Sequence, residues 1–278
     1  MRSDAPTPEA ASAGPSPARI LLTNDDGWDS PGLAALAEVL EGLGELLVVA
    51  PRDEQSAIGH AITLSGTVEA EPVRFDGAAA AYAVSGTPAD CAKLAIRALF
   101  ADAPPALCVS GLNPGPNVGV NVFYSGTVGA ALEAAVNGVP AIAVSKELGD
   151  ELSPRDAARL VTPLIREVLR RGLPEWHALN VNVPGRRIED IRGLRVTRQG
   201  VSGFDESYRE LPPSEGSSRS RFRLEGQMRL RETDGMTDAE ALAEGMISVT
   251  PMALDLTARG PGDAGSAWEW LRHLPLAK

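Results

Sequence analysis

The sequence predicts an α/β fold built on a mostly parallel sheet with helices on both faces, followed by a C-terminal extension. Three observations predict it. Short apolar runs alternate with amphipathic stretches through the first two thirds of the chain, the pattern of a sheet covered on both faces. The chain has 278 residues, 44 % of them apolar and only 4 % aromatic, so a large core can form and Ala, Val, Leu and Gly must carry its packing. The first stretch, Ala18 to Ala50, reads as a complete strand–helix–strand unit, which demands a parallel pair with a right-handed crossover.

The opening residues 1–17 are mostly Ala, Pro and Ser and lack the apolar middle of a signal peptide. They read as a disordered tail, and the chain as cytoplasmic. Ala18 to Thr23 is a buried strand. Ser30 and Pro31 suit the N-cap and first position of a helix, Leu33, Leu36, Ala37 and Leu40 repeat at helical spacing, and Gly44 is placed to end it. Glu45 to Ala50 and Ala80 to Val84 are strands. Thr87 caps the next helix, with Asp90 at its third position. Strands follow at Ala106–Ser110, Ala141–Ser145 and Leu179–Val183, with helices at Gly126–Asn137 and Pro154–Arg171 between them.

The pattern changes near Arg192, so residues 18–192 form the core and 193–278 an extension suited to oligomerisation. Gly200 to Ser220 is polar and rich in Ser, Pro and Gly. Phe222, Leu224, Met228 and Leu230 then alternate with Arg221, Arg223 and Arg229, with Glu225-Gly226-Gln227 as a turn. Thr237 and Glu240 form a capping box, and Met246–Thr250 is a last strand stopped by Pro251. A hairpin this small cannot bury its own apolar face and needs a second surface, such as another subunit.

The net charge is −11, with no basic run, which argues against nucleic-acid or anionic-membrane partners. An anionic substrate would need a local reversal of the field, and a metal ion supplies one. Cys91 and Cys108 fit no paired motif and read as buried thiols in a reducing compartment. The three histidines, His60, His177 and His273, are too scattered for a zinc site.

Polar clusters interrupt the pattern just after strands: Thr23-Asn24-Asp25-Asp26-Gly27, Pro51-Arg52-Asp53-Glu54-Gln55-Ser56 and Ser110-Gly111-Leu112-Asn113-Pro114-Gly115. In an open parallel sheet the carboxyl ends of the strands share one edge, and ligands bind there. Asp25 and Asp26 bring carboxylates, Ser56 a hydroxyl and Asn113 an amide oxygen. Such an all-oxygen set suits a hard cation, Mg²⁺ or Mn²⁺, one per subunit. A lone Asp-Asp-Gly could equally cap a helix; the coincidence of three clusters argues for the metal. The glycine-rich loop from Gly111 to Gly126 ends at a helix start, where backbone N–H groups, Ser125 and Thr127 could hold a phosphate.

Taken together, Ile20-Leu21-Leu22-Thr23-Asn24-Asp25-Asp26-Gly27, Ala50-Pro51 through Ser56, Gly86-Thr87-Pro88-Ala89-Asp90-Cys91, Ser110 through Asn117, and Tyr124-Ser125-Gly126-Thr127 resemble the stationary-phase survival protein SurE family. The similarity runs from about Arg19 to Leu256 and includes Glu244 through Pro251. The resemblance implies a Rossmann-like three-layer sandwich whose C-terminal extension is exchanged between subunits of a homodimer or homotetramer. It implies a metal-dependent 5'/3'-nucleotidase that hydrolyses nucleoside monophosphates, with Asp25, Asp26, Ser56 and Asn113 on the metal. Asn24, Asp25 and Asp26 are then the candidate catalytic residues, and Asn24, Asn117, Ser125, Gly126 and Thr127 the candidate phosphate contacts. The segment from Gly203 to Asp234 departs from the family pattern.

Rival readings differ by chemistry. A dinucleotide oxidoreductase needs a GxGxxG turn after the first strand, and Asn24 to Asp29 is not one. An aspartyl-phosphate route wants an acid two residues after the nucleophile, where Gly27 stands. A non-catalytic nucleotide sensor would keep the same pocket without releasing phosphate.

Overall fold

The computed structural model describes residues 17–212, 214, 219–231 and 234–257. The expected tail therefore lies outside the described residues, save for Pro17.

In chain order the elements are β1 (Arg19–Thr23), α1 (Pro31–Leu40), β2 (Glu45–Pro51), β3 (Ala70–Pro72), β4 (Ala80–Val84), α2 (Pro88–Leu94), β5 (Leu107–Pro114), α3 (Gly126–Val136), β6 (Ala141–Lys146), α4 (Pro154–Arg171), β7 (His177–Val183), β8 (Leu194–Val196), β9 (Gly203–Leu211), β10 (Arg221–Arg229), α5 (Asp238–Ala243) and β11 (Ile247–Ala253). The helices start where local chemistry satisfies their first N–H groups. Ser30 Oγ accepts from the Leu33 N–H at 3.3 Å with Pro31 following. Thr87 with Asp90, and Thr237 with Glu240, form complete capping boxes. Ser125 and Ser153 cap α3 and α4.

Among the described residues the main sheet has nine strands in the order β3-β4-β2-β1-β5-β6-β7-β11-β8. The six strands from β4 to β7 in that order are all parallel. β3 runs antiparallel to β4, β11 antiparallel to β7, and β8 parallel to β11. Alternate residues of one strand serve opposite faces. Ile20 and Leu22 join Leu33, Leu36 and Leu40 of α1 and Val161 and Ile165 of α4. Leu21 joins Cys91 of α2 and Val128, Ala131 and Ala134 of α3. Burial on both sides is why β1 reads as an unbroken apolar run rather than an alternating one.

Several boundaries differ from the sequence expectation. α1 ends before Gly42, which holds the positive φ (+83°) that follows the helix. Gly44 instead packs on β1: a Cβ there would lie 2.2 Å from the Ala18 carbonyl oxygen. β5 runs on to Pro114, pairing Asn113 with Ser145 and Pro114 with Lys146 after an irregularity at Ser110–Asn113. Gly203–Leu211, polar in sequence and given no element there, is a strand. It pairs antiparallel with β10 as a separate two-stranded ribbon, so Glu225-Gly226-Gln227 lies inside a strand and not at a turn. β11 continues through Pro251, because β8 pairs only as far as Val249 and leaves that edge open beyond it. Among the described residues after Arg192, β8 and β11 extend the core sheet, while β9 and β10 form a separate ribbon. Among the described residues no helix is long and apolar enough to cross a membrane.

Candidate active site

β1 and β5 are neighbours, but the chain leaves β1 toward β2 and leaves β5 toward β6. That reversal opens a crevice at the carboxyl ends of the strands. Asp25 and Asp26 follow β1, Glu54 and Ser56 follow β2, and Asn113 lies near the end of β5. The backbone N–H of Gln55 donates to the Asp25 carbonyl at 2.7 Å, stitching the first two loops together.

Asp25 is buried, and its Oδ1 accepts the Thr127 hydroxyl at 2.6 Å. The Thr127 backbone N–H serves the same carboxylate. The anion at the start of α3 is thus Asp25 itself, placed where the helix dipole favours it. Gly126 allows this approach, since a Cβ there would meet the Asp25 Cβ at 2.9 Å. Burial raises the Asp25 pKa, and the Thr127 bonds oppose the rise. Asp26 is pushed up to about 7, first by burial and then by the charges of Asp25 and Glu54. Its Oδ2 is buried without a hydrogen-bond partner.

Asn24 is fully buried. Its Nδ2 donates to the Gly27 carbonyl at 2.8 Å and to Ser30 Oγ at 2.7 Å, and its Oδ1 has no partner. Both amide hydrogens go to the fold's own acceptors, which leaves only the buried Oδ1, an acceptor that suits a cation or water and not a phosphate oxygen. Thr23 Oγ1 and Ser110 Oγ, in register on β1 and β5, are also buried without partners. Ser56 is exposed and donates to Glu54 Oε1. Asn113 donates Nδ2 to the Gly115 carbonyl at 2.7 Å, leaving Oδ1 as the side chain's acceptor.

These oxygens fit a hard cation. Unpartnered buried acceptors are costly, and a divalent ion satisfies several at once. Among the described residues no three His, Cys, Asp or Glu side chains form a metal-binding group, so the ion would rest on two carboxylates with neutral Ser and Asn oxygens.

The proposed phosphate contacts divide. Ser125 Oγ accepts from the Val128 N–H at 3.1 Å as the α3 cap. The Thr127 hydroxyl is engaged by Asp25, so Thr127 supports a site residue instead of facing the crevice. Asn117 is an organiser of its loop. Its Nδ2 donates to Ser145 Oγ at 2.8 Å, its N–H to Asn182 Oδ1, and its carbonyl accepts from Asn180 and Asn182.

The loop beyond Ser56 folds back onto α2 and α3. Asp90 accepts the Thr63 N–H at 2.9 Å and the Thr63 hydroxyl at 2.6 Å, and the Thr87 hydroxyl donates to the Ala61 carbonyl at 2.6 Å. Glu133 pairs with His60 Nε2 at 2.9 Å and Lys93 Nζ at 2.7 Å. Burial alone would raise the Glu133 pKa; the bonds from His60, Lys93 and Asn137 outweigh it and bring it to about 2. The Gly86–Cys91 motif therefore anchors the loop that carries Ser56.

Two residues without a role in the sequence reading matter here. Glu54 adds negative charge beside Asp26. Lys146, at the end of β6, lines with Asp26 and Asn113 a cavity of 710 Å³. Both sit at carboxyl ends of strands, and that position alone could have marked them.

The model of the family described as "Survival protein SurE" matches residues 20–206. The chain is 46 % identical over 243 residues to a protein of Syntrophobacter fumaroxidans named 5'-nucleotidase SurE, covering 86 % of this chain and 94 % of that one. A protein of the same name from Carboxydothermus hydrogenoformans is 44 % identical over 245 residues, covering 86 % and 91 %. The crystal structure of the SurE protein from Aquifex aeolicus superposes with a TM-score of 0.75 at 37 % identity, covering 86 % of this chain and 94 % of that one.

Proposed function

The chain belongs to the survival protein SurE family, and from that premise we propose that it is a divalent-metal-dependent phosphomonoesterase. It hydrolyses nucleoside 5'-monophosphates, and 3'-monophosphates as well, to nucleoside and phosphate. The substrate class rests on the relatives named 5'-nucleotidase. The observation that carries the chemistry is the buried, unpartnered Asp26 Oδ2 beside buried Asp25 at the reversal between β1 and β5.

Asp25, Asp26, Ser56 and Asn113 hold one Mg²⁺ or Mn²⁺ per subunit in this reading. When bound, the ion withdraws charge from phosphorus and makes water a better nucleophile. The chain's own residues do the rest. Thr127 fixes Asp25 through two donors. Asn24 Oδ1, held by the Gly27 and Ser30 bonds, is an acceptor that orients water. Asp26, with one oxygen free of protein donors, is placed to take the water's proton. The turn at Ser125–Gly126, rigid as a helix cap and bare of side chain beside Asp25, lets the phosphate approach.

Assembly is part of the same proposal. The β9–β10 ribbon exposes Tyr208, Phe222 and Leu224, with Tyr208 directly across from Leu224. A two-stranded ribbon is marginal alone, so it packs on, or exchanges with, a second copy in a homodimer or homotetramer. The buried free thiols Cys91 and Cys108 fit a reducing, cytoplasmic setting. A phosphate-release screen over nucleoside monophosphates with Mg²⁺, Mn²⁺ or no metal tests the reading. Release from AMP only with metal supports it; no release from any nucleotide contradicts it.

A further inference from the structure

We propose that the cavity beside Asp26 and Asn113 receives the nucleoside end of the substrate and selects a guanine-type base, with Lys146 as the specificity-determining donor. The inference rests on the nucleotidase reading above and adds the base to it. The cavity lies between the first turn of α1, the end of β5 and the loop 147–154 after β6. Its 710 Å³ falls in the range of about 300–1,000 Å³ usual for small-ligand sites. Gly32 builds one wall: a Cβ there would lie 2.1 Å from the Leu112 carbonyl oxygen, so only glycine lets α1 close on β5 this tightly.

The lining chooses the ligand. Pro31, Leu112, Leu148, Leu152 and Pro154 offer apolar surface to the faces of a flat ring. Its charged side chains are Lys146 and the acids Asp26, Asp29, Glu147 and Asp150. One ammonium among four carboxylates disfavours a second phosphate and favours a neutral group rich in N–H donors. Lys146 is in register with Pro114, one residue beyond Asn113 on the neighbouring strand. A base at Lys146 thus lies next to the strand end that carries Asn113.

Lys146 is held for recognition. Its Nζ donates to the Glu147 carbonyl at 3.0 Å and the Gly149 carbonyl at 2.7 Å, which leaves one N–H for a ligand acceptor. Guanine presents O6 and N7 as adjacent acceptors, the usual partners of a lysine, and N1–H and N2–H as adjacent donors for a carboxylate. Asp150, an exposed carboxylate in the lining of the same cavity, is assigned to receive them. Adenine puts its amino group where guanine has O6 and would set donor against donor.

The test is kcat/KM for GMP and AMP with Mn²⁺, in the wild type and in Lys146→Met. The wild type should prefer GMP by about tenfold, the value of one good base-edge contact, and K146M should bring the ratio near one. Because Lys146 also braces its loop, Asp150→Asn, exposed and free of that duty, is the second variant; it too should lower the ratio. A wild type with no GMP preference, or variants that slow GMP and AMP equally, overturns the base assignment while leaving the nucleotidase reading intact. A wild type that hydrolyses p-nitrophenyl phosphate but no nucleotide overturns both.

Discussion

Thr127 donates its hydroxyl to Asp25 at 2.6 Å across 102 residues of chain, joining the start of α3 to the end of β1. Thr127→Val keeps the shape and the backbone bond but removes this donor. Asp25 then keeps its burial with less to oppose it, holds its proton more tightly and binds metal less well. Activity should fall about tenfold and stability by about 1 kcal/mol. Phosphate release against Mn²⁺ concentration, together with Tm, checks this. An unchanged metal requirement would show that the bond is only structural.

The sequence made the crevice legible because topology alone brings strand ends together. The Asp25-Asp26 pair, Ser56 and Asn113 come from separate stretches of the chain, yet all follow or end strands of one parallel sheet. It did not show what each side chain does there. Thr127 and Asn24 have the right types for phosphate, but their hydrogens are committed to Asp25, Gly27 and Ser30. β9 escaped because Asp205-Glu206-Ser207 and Arg209-Glu210 surround Tyr208, so no regular apolar alternation marks a strand there. Gly44 was the expected helix stop, but its missing Cβ serves the close approach of Ala18, and Gly42 holds the positive φ after α1.

The exposed ribbon face predicts an assembly defect. Replacing Tyr208, Phe222 and Leu224 together with Ser removes the apolar surface while leaving the β9–β10 hydrogen bonds. Light scattering should give a smaller particle than the wild type. An unchanged mass would contradict packing of this face against a second subunit.

Glu133 sets an acid limit on stability. Its folded pKa, about 2, lies below the ordinary 4.5. Its contribution is therefore fully present above pH 4.5 and is lost as the pH falls toward 2. Glu133→Gln should cost roughly 1–2 kcal/mol at pH 7, since Lys93 is partly exposed and its pairing is screened. The variant should also lose less stability than the wild type between those pH values. Thermal melts from pH 7 to pH 3 measure both; parallel curves would contradict the assignment.

Asp26→Asn separates a metal ligand from a structural aspartate. In the metal-free protein the folded pKa of Asp26, about 7, lies above its ordinary 3.8, so ionisation destabilises the fold increasingly as the pH rises between those values. Asn removes that cost. Metal-free Asp26→Asn should be as stable as the wild type near pH 4 and more stable at pH 8. Its activity should fall by about a hundredfold or more, with partial recovery in excess Mn²⁺. A helix-capping Asp26 predicts the reverse: a loss of about 1 kcal/mol with activity per folded molecule retained.

In the proposed reading the oxygens of Asp25, Asp26, Ser56 and Asn113 work by holding a divalent ion. The most direct test follows phosphate release from AMP by wild-type protein stripped with EDTA, then titrated with Mn²⁺. Release should stop on stripping and return in a saturable way as Mn²⁺ is restored. Hydrolysis of AMP at the full rate in EDTA would contradict it.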